Sequence, residues 1–477
     1  MIRSTTRQRS RDSRVGSTIR PCLFSCLAVL LAGSFNAPCA AIDPAADPVA
    51  TVVSLLGSDD AELRSIGLER VRAGLRGQQA TAAVAVLVAK APAPRQIELV
   101  RALADRGDQA ALPAVLALLP ASQEPDVRVA AILAIGRLGG PTEVAVLRAS
   151  LAGRDPERAA ARQALEQLRG ADVGKQLAEA ALVGEPASKP TIIEILTARR
   201  ERGAAADLLG LASDPDAAVR LAALKAVAKL GGTDQIDGVV DALLKAPAGG
   251  ERDEAERTIV SLCTESRDGV RVRDAFLARF KAAGEVDQET LLPALGRIGG
   301  PEALAVVDGL LAEGGKRTLG LKAITRWPDG TVCERLIDLV GKAGSQDERK
   351  MLVDALIRIA PLPDNKRDDK KRLEMVQKTF TVCDADEQRG RLIERANAIR
   401  TIEAFRFVLP YVDDPKFAEP ACKSVVELAH HQNLRDAHKD EFVKALDKVI
   451  ATTKNPELVE RAGLYKQGKT WERKKSS

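Results

Sequence analysis

The sequence predicts an all-α solenoid of roughly 13 helix pairs, and three observations carry that reading. The chain repeats itself about every 31 residues. Within each unit the apolar residues recur with a helical period. No alternating, β-branched stretch bounded by turns competes as a strand. The 477 residues are 45% hydrophobic, enough for a large core, which rules out global disorder. Only 3% are aromatic, so stacking on bases or sugars is excluded as the main work.

Taken from the N-terminus, residues 1–41 stand apart. They hold six arginines (Arg3, Arg7, Arg9, Arg11, Arg14 and Arg20) against one acid, Asp12, which is the whole net charge of +5. An apolar run, CLFSCLAVLLA at 22–32, follows the basic stretch, and small residues lead to Ala41. Basic, apolar and small-residue segments in that order are the layout of a secretory signal peptide. The run is too short for a membrane span, which needs about 20 residues. Export to the periplasm or the extracellular space is therefore expected, with cleavage near Ile42. Residues 42–477 hold 65 basic and 65 acidic side chains and are neutral.

The repeat occupies the rest. Residues 137–147 (RLGGPTEVAVL) recur at 297–307 (RIGGPEALAVV), an offset of 160. Val127 aligns on Val219, an offset of 92. These are five and three units. Glycines at 77, 107, 139, 170, 203, 231 and 299 mark the same period. The second helix of each unit is the clearer one. Val127, Ala130/Ala131, Ala134/Ile135 and Leu138 form one buried stripe, and Val219, Ala222/Ala223, Ala226/Val227 and Leu230 repeat it. Asp59-Asp60, Asp126, Asp155-Pro156 and Asp214-Pro215 are expected to cap these helices at the start. A left-handed glycine is expected to end them. The first helices are shorter, as at 144–151, 205–211 and 304–311. The regular part runs over 42–360. A charged insertion at 361–374 stretches the spacing, and degenerate units occupy 375–465, where Pro420 sits at a helix start. A basic tail, 466–477, carries +4 and is expected to be solvated, with weak contact to an acidic surface or membrane as the alternative.

Residues 214–231 (DPDAAVRLAALKAVAKLG) resemble the second helix of a HEAT repeat, similar to the short bacterial, phycobilisome-lyase-type variety. Residues 124–139 and 155–170 follow the same pattern, and 455–462 more weakly. The resemblance covers about 420 residues, with five or six units showing the signature well. It implies an armadillo-type superhelix whose second helices line a concave face. It also implies that Arg64, Arg128 and Arg220 form a ladder with turn aspartates, such as Asp214 with Arg220 and Asp126 with Arg158. Some HEAT-like proteins are iron-dependent hydroxylases that hold the metal with His-Glu dipeptides; this chain has none.

Chemistry-bearing residues are few. His430, His431 and His438 lie in one turn, without the i, i+4 spacing of metal ligands. No nucleophile–histidine pairing and no Gly-x-Ser-x-Gly occurs. Gly468-Lys469-Thr470 lacks the upstream glycine of a phosphate loop. Cys263, Cys333, Cys383 and Cys422 are 70, 50 and 39 residues apart, with no Cys-x-x-Cys, and are read as buried free thiols. Trp327 is read as a core ring. No catalytic, cofactor-binding or metal residue is assigned, and no cofactor is expected. A neutral body poor in aromatics argues against nucleic acid. The expected function is an exported, non-enzymatic scaffold that binds a protein partner in its groove. The alternatives are a lyase-like or hydrolase-associated module and a purely structural envelope component.

Overall fold

A computed structural model of the chain describes residues 47–364 and 366–472. The expected leader, 1–41, and the last residues of the tail lie outside the described residues. The rest is helical, without a strand among the described residues.

Thirteen helix pairs follow one another among these residues. In chain order they are α1 (Pro48–Gly57) with α2 (Ala61–Glu69), α3 (Gln78–Val88) with α4 (Ala93–Arg106), α5 (Leu112–Ala121) with α6 (Pro125–Leu138), α7 (Val144–Ser150) with α8 (Asp155–Gln167), and α9 (Val173–Val183) with α10 (Lys189–Arg199). Next come α11 (Ala205–Gly210) with α12 (Ala217–Leu230), α13 (Ile236–Lys245) with α14 (Gly250–Glu265), α15 (Gly269–Ala282) with α16 (Glu285–Ile298), and α17 (Pro301–Ala312) with α18 (Arg317–Ile324). The last four are α19 (Cys333–Gly341) with α20 (Gln346–Ile359), α21 (Asp369–Val382) with α22 (Asp386–Arg395), α23 (Ile402–Val408) with α24 (Ala418–His430), and, after the short α25 (Gln432–Ala437), α26 (Lys439–Thr452) with α27 (Pro456–Lys466). Short 3-10 turns extend several first helices, including Pro141–Glu143 before α7 and Leu211–Ser213 after α11.

Local chemistry explains most helix starts, with corrections to the expected caps. Asp60 accepts the backbone N–H of Glu62 and Leu63, and Asp216 accepts those of Ala218 and Val219. Asp216, not Asp214, is therefore the cap of α12. Asp214 lies one step earlier, bonded to the Asp216 N–H and to Lys189. Asp155 and Asp126 lie inside the first turns of α8 and α6, where a carboxylate favours the positive helix end without capping it. Pro420 is the third residue of α24, a position whose N–H has no intrahelical partner.

The helix ends also differ from expectation. Gly107 is a left-handed cap at φ 74°, but Gly139 and Gly231 end their helices in extended backbone. Close approach explains the glycine there: a Cβ on Gly139 would sit 2.8 Å from the Ile135 carbonyl oxygen.

The stretch 361–374 is only partly an insertion. Residues 362–368 form the link, folded around Asp364, whose carboxylate accepts the Arg367 Nε–H at 2.6 Å. From Asp369 the chain is already α21, capped by Asp368, and Arg372 is buried with bonds to the Pro361 and Ala398 carbonyls. The pairs after it keep the helix-pair plan, with a 3-10 turn at Leu409–Asp413 and the extra short α25 interrupting it.

One apolar core runs the length of the array, built from the inward stripes of both helix rows. Each unit touches its neighbours, so stability is a sum of adjacent interfaces.

Candidate functional site

Second helices such as α4, α6 and α8 pack on one another more extensively than first helices do. Small residues permit this. A Cβ on Gly136 of α6 would lie 2.5 Å from the Cα of Ala164 on α8, and one on Gly296 of α16 would run into the Ala323 carbonyl of α18. The row with the closer spacing is the shorter row, so the array bends toward the second helices and their exposed faces line the groove.

Three troughs open on that face. The first lies across α4, α6 and α8, lined by Arg72, Arg101, Asp105, Leu133, Arg137 and Gln163, among others. The second lies across α8, α10 and α12 and has a volume of about 760 Å³. The third lies across α14, α16 and α18, reaching Met351 on α20.

Ion pairs cross from helix to helix along this face. Asp105 takes Arg72 at 3.2 Å and Arg137 at 2.5 Å. Arg162 pairs with Glu166 of its own helix at 3.1 Å and with Glu194 of α10 at 2.6 Å. Buried Glu256 takes Arg297 at 3.2 Å and Arg326 at 3.3 Å. Further along, Asp354 pairs with Arg391, Glu394 with Lys423, and Glu427 with Arg461. Exposed pairs of this kind add about 0–1 kcal/mol each, but they hold neighbouring helices in register. The second trough holds the most unmatched charge, although Arg101 in the first trough is unmatched as well. Arg200, Lys225 and Lys229 line it and have no ion-pair partner among the described residues.

The arginine ladder exists, but with other acceptors than expected. Arg220 donates to the turn carbonyls of Asp214 and Pro215 at 2.8 Å, and its guanidinium clamps Glu251 of the next unit at 2.5 and 3.0 Å. Arg128 does the same with the Leu119 carbonyl and Glu157. These bonds hold Glu251 and Glu157 below the usual carboxylate range. Arg64 donates to the Ser58 and Asp59 carbonyls. The expected pair of Asp126 with Arg158 is absent: Arg158 pairs with Asp155 of its own helix at 3.0 Å. The reason is reach. A residue early in a second helix lies over the turn before it and beside the first turn of the next second helix.

A second arginine set was not foreseen. Arg199, at the end of α10, donates to the Leu165, Glu166 and Leu168 carbonyls at the end of α8, at 2.9, 3.1 and 2.7 Å. Arg106 does this to Val71, Leu75 and Gly77, and Arg358 to Thr325 and Trp327. Each satisfies orphan carbonyls at the negative end of the preceding second helix. The sequence signal was an arginine in the last turn of a second helix, as at Arg106, Arg199 and Arg358.

The histidines do not converge. His430 Nδ1 is 2.9 Å from the Tyr465 hydroxyl, and His438 faces Glu441 at 3.9 Å. Burial, with Arg400 and His430 nearby, holds His431 below the usual imidazole value. Among the described residues no three His, Cys, Asp or Glu side chains are placed to hold a metal. The four cysteines of the body are free and buried. Burial pushes the Cys263 and Cys333 thiols up to about 12, and those of Cys383 and Cys422 to about 11. Trp327 is buried, with its Nε1–H bonded to Thr331 at 3.1 Å. The start of the tail is not solvated throughout: Trp471 packs over the Arg461 guanidinium at 5.0 Å.

Comparison with known proteins places the repeat. A family model described as HEAT repeats matches residues 80–166 and 176–260. No curated protein matches the chain in sequence. Among solved structures, Kap121p bound to Ste12p is similar at 10% identity and a TM-score of 0.44, over 87% of this chain and 52% of that chain. The chain thus spans about half the length of Kap121p. Importin beta is similar at 12% identity and TM-score 0.32, over 88% of this chain and 72% of that one. Human deoxyhypusine hydroxylase shares 20% identity at TM-score 0.22, over 52% of this chain and 94% of its own.

Proposed function

We propose a function from one premise: the chain is a HEAT-repeat protein, with that repeat at residues 80–166 and 176–260 of a helical solenoid. Its work is to bind another protein along the groove of second helices, as an exported, non-enzymatic scaffold. The observation that carries this reading is the run of three open troughs on one continuous face. Each is lined by apolar residues and long charged ones, alanines in the first two and Val286, Leu292 and Met351 in the third, a surface suited to many modest contacts with an extended partner. Chemistry is poorly provided for. The thiols are buried and held as thiols, His430 bonds Tyr465, and His438 faces Glu441. No helix among the described residues is long and apolar enough to cross a membrane.

Export is supported by the order of basic, apolar and small residues in 1–41. Mature protein should begin near Ile42; cytoplasmic protein with the leader intact would end this part of the proposal.

Photo-crosslinking tests the groove. A photoreactive residue at Gln163, Leu221 or Thr290, all in the troughs, should give a discrete protein adduct in cells. The same residue at exposed Val86 or Val183, on first helices, should not. Equal labelling from both faces would refute the reading.

A further inference from the structure

We infer that the second trough, between α10 and α12, is the docking site for an extended acidic segment of the protein partner, held by Arg200, Lys225 and Lys229. The inference rests on the protein-binding reading above and adds the chemistry of what is bound.

Charge complementarity is the first argument. Four cations line this trough, Arg162, Arg200, Lys225 and Lys229, against one carboxylate, Glu194, which is already tied to Arg162 at 2.6 Å. The other three cations have no ion-pair partner among the described residues. Elsewhere on the groove, cations such as Arg137, Arg297, Arg326 and Lys423 are matched across the helices. Three unmatched cations on one trough repel each other and attract an anion.

Backbone conformation is the second. Arg200 has φ 59°, the single non-glycine residue with positive φ among those described. It occupies the left-handed position after α10 that usually falls to glycine, and the bonds of Arg200 N–H to Thr197 and Glu201 N–H to Leu196 close the turn. Glycine would form the same turn without strain. Arginine there places a guanidinium at the trough's edge, at a cost the fold does not recover through any contact of that side chain.

Spacing and floor shape define the ligand. Lys225 and Lys229 are one turn apart on α12, about 6 Å along its axis. Alternate residues of an extended chain are about 7 Å apart, so carboxylates at every second position meet both lysines. The floor between them is Ile193, Leu221, Ala222 and Ala226, fitted to short aliphatic side chains. A nucleic acid is disfavoured here: the trough has no aromatic ring, and the cationic track over the first two troughs stops at the third, where three cations meet three carboxylates.

The test is fluorescence anisotropy with the full chain and a labelled peptide carrying glutamate at alternate positions, separated by alanine and leucine. The acidic peptide should bind, more weakly as salt rises, and its glutamine counterpart should not. K225E/K229E should lower affinity by roughly tenfold or more, and K225Q/K229Q by less, with helix content unchanged. R200G should lower affinity by about threefold without lowering the melting temperature. K175E, exposed on the first helix α9 and outside the troughs, should leave affinity unchanged. Equal binding of the glutamine peptide overturns the inference. So does unchanged binding by K225E/K229E, or tighter binding of a single-stranded oligonucleotide through the same lysines. Failure of the peptide while trough cross-links persist removes only the acidic assignment. Loss of every trough-specific cross-link removes the protein-binding reading itself.

Discussion

Between α8 and α12 four cations face one carboxylate across the groove, whereas between α14 and α18 three cations face three carboxylates. Both regions are built from the same repeat, and both floors are made of second helices. The difference lies in who holds each charge. In the balanced region a buried glutamate, Glu256, draws in Arg297 and Arg326 from the next two second helices. In the cationic region Arg200, Lys225 and Lys229 project with nothing opposite. Residues 42–477 contain equal numbers of basic and acidic side chains, so this asymmetry is a matter of sorting, not of supply. A helical period places every third or fourth residue on the groove, and a neutral sequence can therefore present a charged face.

The largest effect should come from breaking one region while sparing the other. Gly296→Leu puts a side chain into the Ala323 backbone and should cost about 3 kcal/mol in denaturant unfolding. Because stability in such arrays is local, hydrogen exchange should rise across α16 and α18 and stay low across α8 to α12. Gly309→Ala, where a Cβ meets nothing within 4 Å, is the control and should be neutral or stabilising.

Next in size is Arg199→Ala. It removes three bonds that end α8 and leaves the carbonyls of Leu165, Glu166 and Leu168 to other partners, costing about 2 kcal/mol. Arg358→Ala, on the balanced side, removes two such bonds and should cost less in the same assay.

Arg200→Gly should go the other way. Relief of the left-handed arginine should raise stability by about 1 kcal/mol, read as a shift in the denaturant midpoint. A loss of stability would mean that Arg200 has a structural partner and that the trough is less open than described.

The smallest effect is an acid limb, which should separate a buried pair beside the cationic region from an exposed pair further along the array. The hydrogen bond from Lys189 is the main cause holding Asp214 below its ordinary value of 3.8, and Arg349 does the same for Asp384. A carboxylate with a lowered folded pKa stabilises the fold above its unfolded value, and that stabilisation is lost as pH falls below about 4. The Asp214 side chain is 7% exposed and that of Asp384 is 54% exposed. Solvent screens the second pair more. Asp214→Asn should therefore flatten acid unfolding more than Asp384→Asn does. Equal flattening would show that exposure does not control these pairs.

Several features were legible before any fold was known, because they depend on residues close in the chain. The period of about 31 residues gave the number of pairs, and the stripe from Val127 to Leu138 gave the buried face of α6. The burial of Trp327 and of the four body cysteines followed from their place in helical patterns. Caps were half legible: Asp60 capped as expected, while Asp214 yielded that role to Asp216 two residues on. What the sequence alone left open was every choice between acceptors a unit apart. Arg220 had Asp214 six residues away, and only the stacking of α12 on α14 brought it to Glu251. Arg199 reaches carbonyls 31 to 34 residues back, a separation no local pattern encodes. The composition determined that residues 42–477 are neutral, and the periodicity determined that the repeated units form a solenoid. Only the tertiary structure decided where that neutrality breaks, because a charge is cancelled by what lies across the groove from it and not by what lies beside it in the chain.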